Sequence, residues 1–221
     1  MTGRPWTAAI LLAMVVSGCQ NMPRAVLSQY YRALGKARLN AGEYHAAAAD
    51  FTQAIRWGGC NGDLYYERGL ANFARDSAQV AIEDFNTALR CTPTLEVFAQ
   101  ARGQIYTMRG LTLLEVGGSA KALIDADSAV ALDSTLVLAR LVRGRARVAT
   151  GAPELAITDF DFLLVRDTLR SEALYYLALA YRQSGQSAVA LSVLRRLTQG
   201  DPKDFYVMKA KDDLRSMKAP R

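Results

Sequence analysis

Five alanines, Ala47, Ala81, Ala122, Ala156 and Ala190, recur at one interval that is lengthened only between Ala81 and Ala122, each inside the same small-and-aromatic pattern. Around Ala47 the chain supplies Gly42, Phe51 and Ala54; around Ala81 it supplies Phe85, Ala88 and Pro93. A period of about 34 residues confines the chain to stacked supersecondary units, each too small to bury its own apolar face. Within a unit the apolar residues recur at helical spacing, as in Ala81, Ile82, Phe85, Ala88 and Leu89, so the unit is a helical hairpin. Small residues at Gly35, Gly69, Gly110, Gly144 and Ala178 in the first helices, and the five alanines in the second, let two axes approach closely. Glycine costs about 1 kcal/mol in a helix interior, so four of them at one register position point to a packing demand. Gly42, Gly117, Gly151 and Gly185 fall where first helices end and a left-handed residue turns the chain. Pro93 and Pro202 stop second helices.

With 221 residues and 51% hydrophobic composition, the chain suits one domain with an extended core. Its net charge of +6 is spread along the chain. A nucleic-acid binder would gather basic residues with aromatics into a stripe, so no nucleic acid is expected; a negatively charged membrane surface accounts for the excess. Catalysis lacks its usual parts. The single histidine, His45, reads as an exposed helix residue. No Cys or His spacing suggests a metal, and no glycine-rich loop follows a strand to hold phosphate. The acidic pairs Glu83 with Asp84 and Asp125 with Asp127 read as solvent-facing charge rather than as a glycosidase pair. The expectation is a non-enzyme with no catalytic residue, no metal, no cofactor and no small-molecule substrate.

The small, aromatic, small and proline positions together resemble the tetratricopeptide repeat over nearly all of the chain after its first residues. The resemblance is strong in repeats one, two and five, and degenerate in three and four, where Ala126 and Arg140 replace aromatics. It implies an all-α, right-handed superhelical solenoid of five helix-turn-helix repeats, about 28–61, 62–95, 103–136, 137–170 and 171–202, with a capping helix and tail at 203–221. The cap places Phe205, Met208 and Leu214 on one side. The additional segment at 96–102 makes about two helical turns, so an extended first helix in repeat three, through Leu95, Phe98, Ala99 and Arg102, keeps its buried face in phase. Such a rod is either a partner contact or a tolerated insertion. Cys60 precedes the first helix of repeat two and Cys91 ends the second; an antiparallel hairpin brings those ends together. They either form a disulfide or remain two buried thiols, and the sequence leaves both open.

Residues 1–18 read as an export signal, with Arg4 ahead of an apolar stretch from Trp6 to Val16 that is too short to span a bilayer. Val16-Ser17-Gly18-Cys19 resembles the bacterial lipobox, which implies acylation, including palmitate, at Cys19 and a short tether through residue 27. Gln20 stands where the inner-membrane retention signal has aspartate, which implies an outer-membrane lipoprotein facing the periplasm. In the repeat family first helices line a concave groove. The resemblance therefore implies a partner-binding groove of Arg32, Lys36, Tyr66, Leu70, Phe73, Thr107, Leu111, Leu141, Arg145, Tyr175, Leu179 and Arg182, apolar with basic edges. Such a groove suits a helical or extended segment of another envelope protein whose acidic groups meet the arginines. Asp63 and Glu67 stand where a carboxylate clamp would need positive or amide groups. The plan is similar to outer-membrane lipoproteins that act as secretin pilotins, in barrel-protein insertion, or as adaptors of peptidoglycan hydrolases. The repeated Arg-Gly of Arg68-Gly69, Arg109-Gly110 and Arg143-Gly144 is most similar to the last. The expected function is a non-catalytic adaptor; the alternatives are an assembly-machine component and, remotely, a cell-wall enzyme.

Overall fold

The computed structural model describes residues 23–166 and 169–218, so the expected signal segment and Cys19 lie outside the described residues. The chain divides into two compact units, Met1–Thr94 and Leu95–Arg221. Every regular element among the described residues is helical. The first unit holds α1 (Arg24–Asn40), α2 (Tyr44–Gly58), α3 (Gly62–Ala74) and α4 (Ala78–Cys91). The second holds a 3₁₀ turn (Glu96–Phe98), α5 (Ala99–Glu115), α6 (Ser119–Leu132), α7 (Val137–Ala149), α8 (Pro153–Val165), α9 (Arg170–Gln183), α10 (Ser187–Leu197) and α11 (Phe205–Lys218).

Most hairpins close in the same way. Gly42, Gly117, Gly151 and Gly185 adopt φ between +78° and +82°. The amide after each donates back to the first helix, Glu43 to Arg38, Gly118 to Leu113, Ala152 to Arg147 and Gln186 to Tyr181, at 2.8–2.9 Å. This left-handed cap satisfies carbonyls that a helix end leaves open. In the second hairpin Asp76 takes the position at φ +60°, with Ser77 donating to Asn72 at 2.9 Å.

The register glycines have a specific neighbour. A Cβ on Gly35, Gly69 or Gly144 would meet the ring of Phe51, Phe85 or Phe160 at 2.9, 2.6 and 2.7 Å. The phenylalanine follows its glycine at the same offset in each case and is fully buried. A flat ring against bare backbone brings the two helices of a hairpin together without a void. Hairpin three replaces the ring by Ala126, and there Gly110 faces Val142 of α7 at 3.2 Å instead. The alanines at the repeat period are all buried.

Within each unit successive first helices touch: α1 packs on α3, and α5 on α7, α7 on α9 and α9 on α11. No comparable contact joins α2 to α4, α6 to α8 or α8 to α10. Each unit taken by itself therefore curves with its first helices on the inner side.

Two sequence expectations change in detail, and one that the sequence left open is resolved. The extension before hairpin three is one 3₁₀ turn and a lengthened α5 rather than two added α-turns, and Leu95 and Val97 stand exposed on it. The buried side of α11 is Tyr206, Val207, Ala210 and Leu214, packed on Leu174, Tyr175, Leu194 and Leu197; Phe205 and Met208 face solvent. The offset arises because Val207 and Ala210 continue the cluster at i and i+3, a narrower stripe than the larger Phe205 and Met208 suggest. Cys60, just before α3, is joined by a disulfide to Cys91, the last residue of α4, with Cα atoms 5.3 Å apart.

Candidate partner-binding face

The arginine ahead of three of the register glycines is tied to an aspartate on the second helix of its own hairpin. Arg68 holds Asp84 through Nε at 3.1 Å and Nη2 at 2.6 Å. Arg109 holds Asp125 at 2.8 and 2.6 Å. Arg143 holds Asp159 at 3.0 and 2.6 Å. The bidentate geometry suits a guanidinium and a carboxylate. Asp84, Asp125 and Asp159 are buried, which corrects the solvent-facing expectation for Asp84 and Asp125; Glu83 and Asp127 are the members of those pairs that stay accessible. Hydrogen bonding to Asp125 and Asp159 raises the pKa of Arg109 and Arg143 further above the ordinary range. The sequence carries this as a spacing, since all three Arg-Asp pairs share one separation, in step with the Gly-Phe pair beside them.

The other hairpins solve this contact differently. In hairpin one Leu34 stands at the arginine position, and Arg38, one turn on, reaches Asp50 at 2.8 Å. Burial there pushes the Asp50 carboxyl up against the opposing pull of Arg38. Asp159 receives Arg147 as well, at 2.8 Å. In hairpin five the pair becomes Leu177 and Val193, packed in one apolar cluster.

On the inner side of the first unit, Arg32 of α1 donates to Glu67 of α3 at 2.7–3.1 Å and to Asp63 at 3.2 Å, and Lys36 meets Glu67 at 2.9 Å. Hydrogen bonding to Glu67 raises the pKa of Arg32. Tyr66 packs on Phe85, and burial pushes its hydroxyl up. Leu70 and Phe73 are half-buried.

In the second unit Arg145 of α7 bridges Glu115 of α5 at 3.0 Å and Glu172 of α9 at 3.3 Å, and lies 5.0 Å from the Tyr176 ring centre. Tyr175 donates to Asp213 of α11 at 3.1 Å, and burial together with that bond pushes its pKa up to about 12. Burial, then a hydrogen bond to Glu172, raises Tyr206 likewise. Thr107, Leu141 and Tyr175 are buried, Leu111 and Leu179 half-buried; Arg182 is exposed. The basic residues expected to await an acidic partner are thus largely neutralised by carboxylates of the neighbouring first helix. Of the expected groove residues, those partly or fully exposed and outside these ion pairs are Tyr66, Leu70 and Phe73 in one unit, and Leu111, Leu179 and Arg182 in the other.

His45 is exposed on α2. Among the described residues no cluster of His, Cys, Asp or Glu could hold a metal, and no helix is long and apolar enough to cross a membrane.

The tetratricopeptide repeat family model matches residues 32–96 and 141–205, more than half of the chain. No curated protein matches the sequence significantly. Among solved structures, YrrB, described as a tetratricopeptide repeat protein with an unusual peptide-binding site, is similar at TM-score 0.69 and 20% identity, covering 92% of this chain and 98% of that one. A tetratricopeptide repeat protein from Parabacteroides merdae is similar at TM-score 0.70 and 17% identity, covering 95% and 78%. MamA from Desulfovibrio magneticus is similar at TM-score 0.68 and 16% identity, covering 84% and 97%. The hairpin period, the left-handed caps and these matches lead to one assignment: the chain belongs to the tetratricopeptide repeat family, an all-helical fold of protein-interaction scaffolds.

Proposed function

We propose that the protein is a non-catalytic adaptor, anchored by acylation of Cys19 to the outer membrane of a bacterial envelope, and that it holds another envelope protein by a helical or extended segment. The observation that supports this most is the construction of the inner side. In the first unit ion pairs from Arg32 and Lys36 to Glu67 fix successive first helices, with Leu70 and Phe73 partly exposed; in the second, Arg145 does so through Glu115 and Glu172, with Leu111 and Leu179 partly exposed. A face already held in place lowers the ordering cost of binding. Since most of its bases are satisfied internally, the client is held chiefly by apolar contact, with Arg182 left for an acidic group. The peptide-binding description of YrrB is in keeping with this reading. The test is affinity capture by the full chain from detergent-solubilised envelope. One dominant partner is expected, lost on Leu111→Ala with Leu179→Ala while circular dichroism stays unchanged; a partner set indifferent to these changes refutes the reading. Labelled palmitate should enter the parent and not Cys19→Ala.

A further inference from the structure

A second site lies away from the inner side. Between α2 and α4, over the end of α3, an open cleft of about 360 Å³ is lined by His45, Thr52, Arg68, Asn72, Arg75 and Val80, with two alanines. Among these described lining residues there is no carboxylate. Asp84, outside the lining, is already committed to Arg68 and to Asn72, whose Nδ2 donates at 2.7 Å. Asn72 also accepts Arg75 Nε at 2.9 Å, which fixes that guanidinium against the cleft.

The second unit shows what the same place contains when it is filled. Thr52 and Asp127 follow a register glycine, Gly35 and Gly110 respectively, at the same offset. Asp127 reaches into the next hairpin, 3.5 Å from Arg143 Nη1 and 3.7 Å from Arg147 Nη2. Thr52 reaches the equivalent Arg68 Nη1 at 3.2 Å with a neutral hydroxyl. The second unit therefore supplies its own carboxylate at this register, whereas the cleft presents Arg68, Arg75 and His45 without one.

We infer that the cleft between α2 and α4 is an oxyanion site that takes the carboxylate of an acidic side chain from a partner, seated where Asp127 sits in the second unit. The guanidinium groups are oriented beforehand, Arg68 by Asp84 and Arg75 by Asn72, so a carboxylate finds its donors in place. Ala48, Ala49 and Val80 give the stem of an Asp or Glu an apolar wall. The inference stands apart from the adaptor reading and uses none of the inner-face residues.

The test follows arginine Nε–H resonances of the ¹⁵N-labelled full chain during titration with hexaglutamate, hexaglutamine or inorganic phosphate. Hexaglutamate is expected to shift Arg68 and Arg75, and hexaglutamine to shift neither. Arg75→Gln should weaken hexaglutamate by about tenfold, the scale of one charge-assisted contact. Thr52→Asp should abolish it by filling the cleft from within, and Thr52→Asn should leave it. Binding that survives Thr52→Asp, absence of binding to the parent, or binding of phosphate without hexaglutamate each overturns the assignment.

Discussion

The arginine-aspartate ties make a sharp thermodynamic prediction, and hairpin three is the place to test it. Asp125 has a side chain 4% exposed and takes two bonds of 2.6 and 2.8 Å from Arg109, whose side chain is 21% exposed. Arg109→Leu leaves a buried carboxylate with its main counter-charge gone, which costs about 3 kcal/mol or more. Asp125→Val leaves a guanidinium that can still turn toward water, so about 2 kcal/mol is expected. The double variant recreates the Leu177–Val193 arrangement of hairpin five, and buried pairs exchanged for apolar ones of similar volume are often neutral. It should therefore lie within about 2 kcal/mol of the parent, with a coupling energy of about 3 kcal/mol. Urea denaturation of the parent, both single variants and the double variant measures all four corners. Additive losses, or Asp125→Val costing more than Arg109→Leu, would refute the view that desolvated charge governs this contact.

Other outcomes follow from particular contacts. Gly69→Ala and Gly144→Ala drive a methyl into a buried ring and should lose about 1–2 kcal/mol net, whereas Gly110→Ala, facing Val142 at 3.2 Å, should stay within about 1 kcal/mol because helix propensity offsets the crowding; melting curves separate them. Asp76→Gly relieves a left-handed residue at φ +60° and should stabilise by up to about 1 kcal/mol in the same assay. Replacing Cys60 and Cys91 by serine opens a bridge 31 residues apart in sequence and should cost about 4 kcal/mol of unfolding free energy in urea. Tyr175 has its folded pKa raised to about 12 from 10, so its stabilisation is complete below pH 10 and fades as pH rises through 12. Tyr175→Phe should flatten that alkaline fall in melting temperature.

Much of the fold is legible in the chain because the repeat itself is a spacing. Ala47 to Ala190 mark every second helix, and Gly42, Gly117, Gly151 and Gly185 mark the turns, since both roles restrict residue type tightly. Asp76 carries no such mark, because a left-handed cap tolerates aspartate and nothing local distinguishes it from a surface acid. The buried aspartates are hidden for a related reason: Asp84 and Asp125 look like surface charge until Arg68 and Arg109, each on the preceding helix, are placed opposite them. The face of α11 is misleading because large apolar residues dominate its pattern, yet Val207 and Ala210 fit the space left by Leu174 and Leu197. That first helices pack on first helices within each unit is legible from the repeat order. Whether a residue there is free depends on its neighbour one first helix away, as with Arg32 and Glu67, which periodicity does not encode.

The two places an acid can occupy on a second helix clarify why the site between α2 and α4 is open. At the position opposite the arginine that precedes three of the register glycines, Asp84, Asp125 and Asp159 turn inward to their own first helix. Two positions beyond Asp125, at Asp127, the helix has rotated by about 200°, and the carboxylate faces the next hairpin's Arg143 and Arg147. The first position holds a hairpin together; the second joins hairpins to each other and at the same time fills the cleft between them. Thr52 keeps only a neutral hydroxyl contact to Arg68 and leaves Arg68 and Arg75 lining a cleft without a carboxylate. Stability and binding are therefore opposed at this one residue, and Thr52→Asp should raise the unfolding midpoint of the first unit by the same contact that removes its affinity for hexaglutamate.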